Sequence, residues 1–283
     1  MDSPFLSIIT INYNNADGLR RTMGSVKSQS SKNYEHIIID GGSTDKSVSV
    51  IKEFLSDSDY AKQVTFWCSE KDRGIYDAMN KGTLHANGRF CLYLNSGDYL
   101  ADNNVVERFS DYDLPPDQII YTNAIFFNSK KEWKENPPSV IKASIFFEKS
   151  PLNHQNILFP LNFIKENPYS LEYKICSDFE LCLKAFFKNK LNFKYIDDVI
   201  SKYENETGIS SSEETKQLRS EEWNAQLRKY IPSQFWDDMT ELEVYEKKYH
   251  GILRKIKNLL NKYSKIKAIF FQSFQKHFFM ILS

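Results

Sequence analysis

Residues 69–100 read SEKDRGIYDAMNKGTLHANGRFCLYLNSGDYL, and this stretch decides the fold. Ile75, Met79, Gly82 and Ala86 recur at spacings of three and four, which predicts a helix over 75–86. Phe90-Cys91-Leu92-Tyr93-Leu94 is a short apolar run between turn formers, as expected of a strand covered on both faces. It stops at Asn95-Ser96-Gly97-Asp98, a carboxylate in a glycine-containing turn. In open α/β sheets, ligands bind just beyond the carboxyl ends of such strands. Asp98 is therefore the first candidate site residue.

The chain before this stretch repeats the pattern. Strands are expected over 5–11, 36–39 and 64–68, with amphipathic helices over 17–29 and 48–55 between them. Strand and helix in strict alternation predict an α/β fold with a mostly parallel, Rossmann-like central sheet flanked by helices. Asp40 leaves the second strand and is followed by Gly41 and Gly42, which let a flat ligand approach the backbone. A carboxylate there suits the N–H of a base, although the same residues also make an ordinary turn. Thr10 and Tyr13 close the first strand on the same edge. The chain has no GxGxxG and no GxxxxGK[ST], which argues against a Rossmann dehydrogenase and a P-loop NTPase.

The 283 residues, 41% hydrophobic and 26% charged, are enough for a sizeable core. The formal net charge of zero conceals an asymmetry. After Glu246 there are nine Lys or Arg and no acidic residue, whereas the first 246 residues carry 28 basic against 37 acidic groups. Ile252, Leu253, Ile256, Leu259, Leu260, Tyr263, Ile266 and Phe270 recur at helical spacing in this tail. A basic amphipathic helix over 249–283 is expected to lie on an anionic membrane surface, with packing onto the core or onto a second subunit as the alternative. No nucleic-acid motif accompanies it, and no nucleic-acid partner is expected. Cys68, Cys91, Cys176 and Cys182 show no CxxC spacing and read as reduced, buried thiols. No apolar run approaches the length of a membrane span, and no basic n-region marks a signal peptide.

Four motifs in order, SIITINYN, IIIDGGSTD, EKDRGIYDAMNKG and LYLNSGD, resemble the nucleotide-binding half of glycosyltransferase family 2. GIYDAMNKG with the Asn-Ser-Gly-Asp variant looks most like the bacterial colanic-acid and capsular-polysaccharide enzymes. The likeness covers roughly residues 5–210. It implies a GT-A fold, a nucleoside-diphosphate-sugar donor (UDP favoured, GDP the other option) and inverting transfer to a hydroxyl. It further implies a cytoplasmic enzyme, peripheral on the inner face of the membrane, acting on a glycan carried by polyprenyl diphosphate.

Site roles carried over from the resemblance are expectations. Thr10, Tyr13, Asp40, Asp72, Asn80, Asn95 and Asp98 would contact the donor, and Asp98 would hold Mg²⁺ or Mn²⁺. Asn95 and Gly97 stand where the family usually has acidic residues, which points to a weak or donor-dependent metal site. His154 and Gln155 would face the acceptor. Asp178 aligns with the catalytic Glu-Asp element and would be the general base, with Ser177 replacing the usual Glu; Glu180 is the second choice. The catalytic domain is expected over 1–212, its halves meeting near residue 100, followed by a helical extension over 213–283. Two rivals stand beside this reading. A sugar-nucleotide pyrophosphorylase would need a Gly-rich loop where Asn12-Tyr13-Asn14-Asn15 stands. A degenerate binding or scaffold protein is kept open by the lost acidic positions.

Overall fold

β1 (Leu6–Asn12) and β2 (Tyr34–Asp40) are buried at every position, which is why their sequences show continuous apolar runs instead of alternation. α1 (Ala16–Lys27) joins them, capped by the Asn15 side chain, which accepts from Gly18 N. α2 (Ser47–Leu55), α3 (Ser58–Ala61), β3 (Val64–Ser69), α4 (Ile75–His85) and β4 (Phe90–Tyr93) complete the alternating run. These strands pair in parallel in the order β3-β2-β1-β4. α4 lies so close to the sheet that a Cβ at Gly82 would sit 2.4 Å from Ile9 Cγ2, which explains the glycine on its buried face.

The computed structural model describes residues 3–147, 152–205 and 214–231, with residues 251 and 255 beyond them. Nearly all of the 249–283 tail lies outside the described residues. The chain divides into two compact units, Met1–Tyr230 and Ile231–Ser283, and every element named here belongs to the first.

After β4 the chain changes pattern. β5 (Tyr99–Leu100), α5 (Val105–Asp111), β6 (Ile119–Phe127), β7 (Glu132–Glu135), β8 (Ile157–Pro160) and α6 (Leu161–Glu166) follow in order. α7 (Ser177–Leu183), β9 (Phe193–Glu204) and α8 (Glu214–Tyr230) complete the described elements. β8 enters antiparallel between β4 and β6, and β6 pairs in parallel with β9. The β3-β2-β1-β4 half of the sheet is thus parallel, and the sheet as a whole is mixed. The apolar Ile157-Leu158-Phe159 of β8 joins the two halves.

The core spans both halves, with Ile8, Met23, Ile38, Leu92, Leu158 and Ile200 in one buried cluster. The α8 helix lies within the first unit and buries Leu227, Gln226 and Glu222. Among the described residues, no helix is long and apolar enough to cross a membrane.

Candidate active site

In the sheet register Asn12 lies beside Asp40, and Asp40 beside Ser69, so three strand ends meet at one carboxylate. Asp40 is fully buried and accepts four hydrogen bonds: from Asn12 Nδ2 (2.6 Å), Ser43 Oγ (2.6 Å), Ser43 N (2.9 Å) and Ser69 Oγ (2.6 Å). Burial alone would push its pKa up, but these donors outweigh it and hold the carboxyl below its ordinary value. All its lone pairs are therefore engaged within the protein.

Above this knot lies an open rim. Tyr13 is 66% exposed, and its ring edge would be 3.3 Å from a Cβ on Gly41. The same Cβ would be 2.5 Å from Asp72 Oδ2, so the glycine lets the Tyr13 and Asp72 side chains close on this backbone from both sides. Asp72 also accepts from Gly74 N at 2.9 Å, and Gly74 has φ +115°. Two expected donor residues are not brought to this rim. Thr10 is buried, with its hydroxyl 2.9 Å from His36 Nε2 inside the helix-covered layer. Asn80 is tied to the backbone of Tyr169, donating to its O (2.8 Å) and accepting from its N (2.9 Å).

The turn after β4 is pinned by Thr22 of α1, which donates to Asp98 O (2.6 Å) and accepts from Gly97 N (3.0 Å). Gly97 has φ +110°, a conformation L side chains rarely adopt, which explains why no acidic residue stands there. Asp98 is 3% exposed and accepts from Gln155 Nε2 (3.0 Å) and Glu204 N (2.9 Å). Burial pushes its pKa up to about 7, only partly offset by those two hydrogen bonds.

The residue preceding Gln155 reaches the other carboxylate. His154 Nδ1 lies 3.2 Å from Asp178 Oδ2, and its Nε2 lies 3.3 Å from Asn95 Nδ2. With Asn95 donating to Nε2, Nδ1 carries the proton and donates to Asp178. Asp178 Oδ1 accepts from Phe179 N (2.9 Å) and faces Tyr76 Oη at 3.4 Å. Ser201 of β9 grips the His154–Asn156 turn, donating from Oγ to Gln155 O (2.7 Å) and from N to Asn156 Oδ1 (3.1 Å). Asn95, His154, Gln155, Asp98 and Asp178 are thus joined in one polar line.

His154, Gln155 and Asp178 open into a cavity of about 690 Å³ whose walls include Phe126, Phe179, Tyr203, Arg219 and Trp223. Phe179 and Trp223 stack with ring centroids 3.9 Å apart. Glu180, the second choice for the base, is fully buried and accepts from Lys229 Nζ and Tyr230 Oη, away from this space. Three residues of this neighbourhood escaped the sequence reading. Glu204 is the last residue of β9, and its charge is one of the influences raising the Asp98 pKa. Tyr76 lies inside the GIYDAMNKG motif, and that motif was the available signal. Glu222, seated against the residues before α7, had none.

A divalent ion is implied by the resemblance, and the donor set can be tested against it. Among the described residues no group of three His, Cys, Asp or Glu could enclose a metal. Oxygen donors do gather at the turn, in Asp98, the neighbouring Glu204 and Asn95 Oδ1, which is buried without a hydrogen-bond partner. Such a set fits a hard ion shared with diphosphate oxygens and does not fit a protein-only cage.

Comparison with known proteins agrees with this architecture. The family model described as "Glycosyl transferase family 2" matches residues 7–169. A curated relative, "PGL/p-HBAD biosynthesis glycosyltransferase" of Mycobacterium bovis, is 25% identical over 215 residues, covering 75% of this chain and 81% of the relative. S. aureus TarS 1–349 in complex with UDP-GlcNAc superposes with a TM-score of 0.60 at 16% identity, over 82% of this chain and 69% of that one. Against a longer TarS chain the match spans only 36% of its length. The mannosyltransferase PcManGT of Pyrobaculum calidifontis, in complex with GDP-Man and Mn2+, gives a TM-score of 0.55 at 13% identity, over 73% and 59% of the two chains. These structures establish a shared GT-A fold. The family match extends over more than half of the sequence, so this chain is a glycosyltransferase and belongs to glycosyltransferase family 2.

Proposed function

We propose that the protein is an inverting glycosyltransferase that moves a sugar from a nucleoside-diphosphate donor to a hydroxyl of a glycan acceptor. The observation that carries this reading is the polar line of the site, in which adjacent residues, His154 and Gln155, tie Asp178 to Asp98. Asp178 takes the proton as the acceptor oxygen attacks C1 of the sugar. The C1–oxygen bond to the diphosphate breaks, and the nucleoside diphosphate leaves on the opposite face. The proton on His154 Nδ1 keeps the carboxylate in place and leaves its remaining lone pairs to the cavity. When Mg²⁺ or Mn²⁺ is bound with the donor, it offsets charge on the departing diphosphate. Asp98 would hold it, with Glu204 and Asn95 beside it.

Tyr13 and Asp72 form the surface for the base and ribose, over Gly41. Asp40 shapes the floor of this rim and reads the base only by exchanging one of its serine partners. A UDP-sugar is favoured, and relatives of the fold are known in complex with UDP, UDP-GlcNAc and GDP-Man. The aromatic walls near Asp178 suit stacking on sugar rings. Isothermal calorimetry with UDP and GDP is expected to show one nucleotide binding more tightly with Mn²⁺ than without, and weaker in Asp98→Asn. Binding indifferent to both metal and mutation would exclude the metal-assisted form of this reading.

The acceptor is proposed to be carried on polyprenyl diphosphate, in a bacterial capsule, exopolysaccharide or O-antigen pathway. The basic stretch 249–283 would hold the enzyme at the cytoplasmic face, each cation contributing about 1 kcal/mol. Flotation is expected with anionic liposomes and not with neutral ones; equal behaviour toward both would rule out this anchoring.

A further inference from the structure

Cys176 stands at the N-cap of α7, the helix that carries Asp178, and supplies no side-chain cap. The donors of the approach are satisfied from far along the chain. Glu222 of α8, 7% exposed, accepts from Lys174 N (2.7 Å) through Oε1, and from Ile175 N (3.0 Å) and Cys176 N (3.0 Å) through Oε2. Gln226, one turn on, donates to Cys176 O at 3.0 Å. Ile175 O in turn accepts from Tyr76 Oη at 2.6 Å, the same hydroxyl that faces Asp178. One carboxylate therefore fixes three consecutive peptide units directly before the proposed base.

We infer that Glu222 is a positioning residue for Asp178, acting through the backbone of residues 174–176. The inference rests on the reading of Asp178 as general base. Glutamine at 222 keeps the shape but offers a single acceptor oxygen and turns an NH₂ toward N–H donors. The start of α7 then loses its seat, and small displacements of a catalytic group lower turnover steeply.

The test uses the full chain and the release of nucleotide from UDP-GlcNAc or GDP-mannose, whichever binds, with water as the acceptor. Glu222→Gln is expected to lower kcat by about tenfold or more, with the donor KM within about twofold. Amide hydrogen exchange at 174–176 is expected to speed up in the same variant. Leu227→Ala removes a buried side chain of the same helix while leaving the Glu222 carboxylate in place, and is expected to leave both readouts near wild type. Glu222→Asp, which keeps the charge one methylene short, falls between and serves if the glutamine variant does not fold. An equal fall of kcat in Leu227→Ala overturns the inference, because the effect then reports general loosening of α8. Asp178→Asn is measured alongside. If it retains turnover, the base assignment fails and this inference with it. If it loses turnover while Glu222→Gln stays within about twofold, the base assignment stands and the inference alone is overturned.

Discussion

Asp178→Asn is expected to lower the rate of sugar transfer by about 10²- to 10⁴-fold while leaving nucleotide affinity unchanged. That range corresponds to about 3–5 kcal/mol of transition-state stabilisation. The asparagine is nearly isosteric and still accepts from Phe179 N; its NH₂ then faces His154 Nδ1, so the imidazole moves its proton to Nε2, where the unpartnered Asn95 Oδ1 can accept it. The asparagine cannot take a proton at neutral pH. A pre-steady-state measurement of product formation, paired with calorimetry of the nucleotide, separates the two effects. Turnover within threefold of wild type would remove Asp178 from the mechanism. A matched loss of nucleotide binding would place it in donor recognition instead.

The largest expected effect on stability comes from Asp40→Asn. Ser43 N is an obligate donor and Asn12 presents Nδ2, with its Oδ1 buried and unpartnered, whereas Ser43 Oγ and Ser69 Oγ can rotate to accept. An amide at position 40 either sets its NH₂ against an N–H donor or turns the Asn12 amide over, and in both cases the charge-assisted bonds are lost. Losing such a buried partner costs about 1–3 kcal/mol. Each kcal/mol lowers Tm by roughly 2–4 °C in a unit of this size. The pH dependence has a definite sign. The folded pKa of Asp40 lies below its ordinary value of 3.8, so its contribution is present above that value and fades as pH falls through the lower, folded pKa. The Tm gap between wild type and Asp40→Asn is therefore expected to be full at pH 7 and to narrow below about pH 4. A gap of the same size at both would show that the charge of Asp40 is not what binds the three strand ends together.

The nucleotide half of the fold is legible in the sequence because each of its elements is held by local pattern. The apolar runs that become β1, β2 and β4, and the spacing that becomes α4, mark elements whose ends lie within two residues or so of the expected ones. The polar line of the site was legible residue by residue, through the motifs holding Asn95, Asp98, His154, Gln155 and Asp178. Its connections were not, because they depend on β8 entering between β4 and β6, and no local pattern encodes strand order. That Thr10 turns toward His36 was hidden for a related reason. In a strand buried on both faces, nothing in the sequence says which side chains reach the open edge. Asn80 points to Tyr169, 89 residues away, and that partner is likewise invisible from the helix spacing that located Asn80 itself.

The carboxylate that holds residues 174–176 is made 46 residues after Cys176. At roughly 5–20 residues per second of synthesis, it follows that cysteine by about 2–9 s. A nascent chain therefore completes every strand of the nucleotide-binding edge, and the helix bearing Asp178, before Glu222 exists. Until α8 has been made and docked, residues 174–176 lack the carboxylate that ties them, and Asp178 lacks the support proposed for it. On the proposed roles, translation order makes the seating of Asp178 the last step in assembling this unit's site.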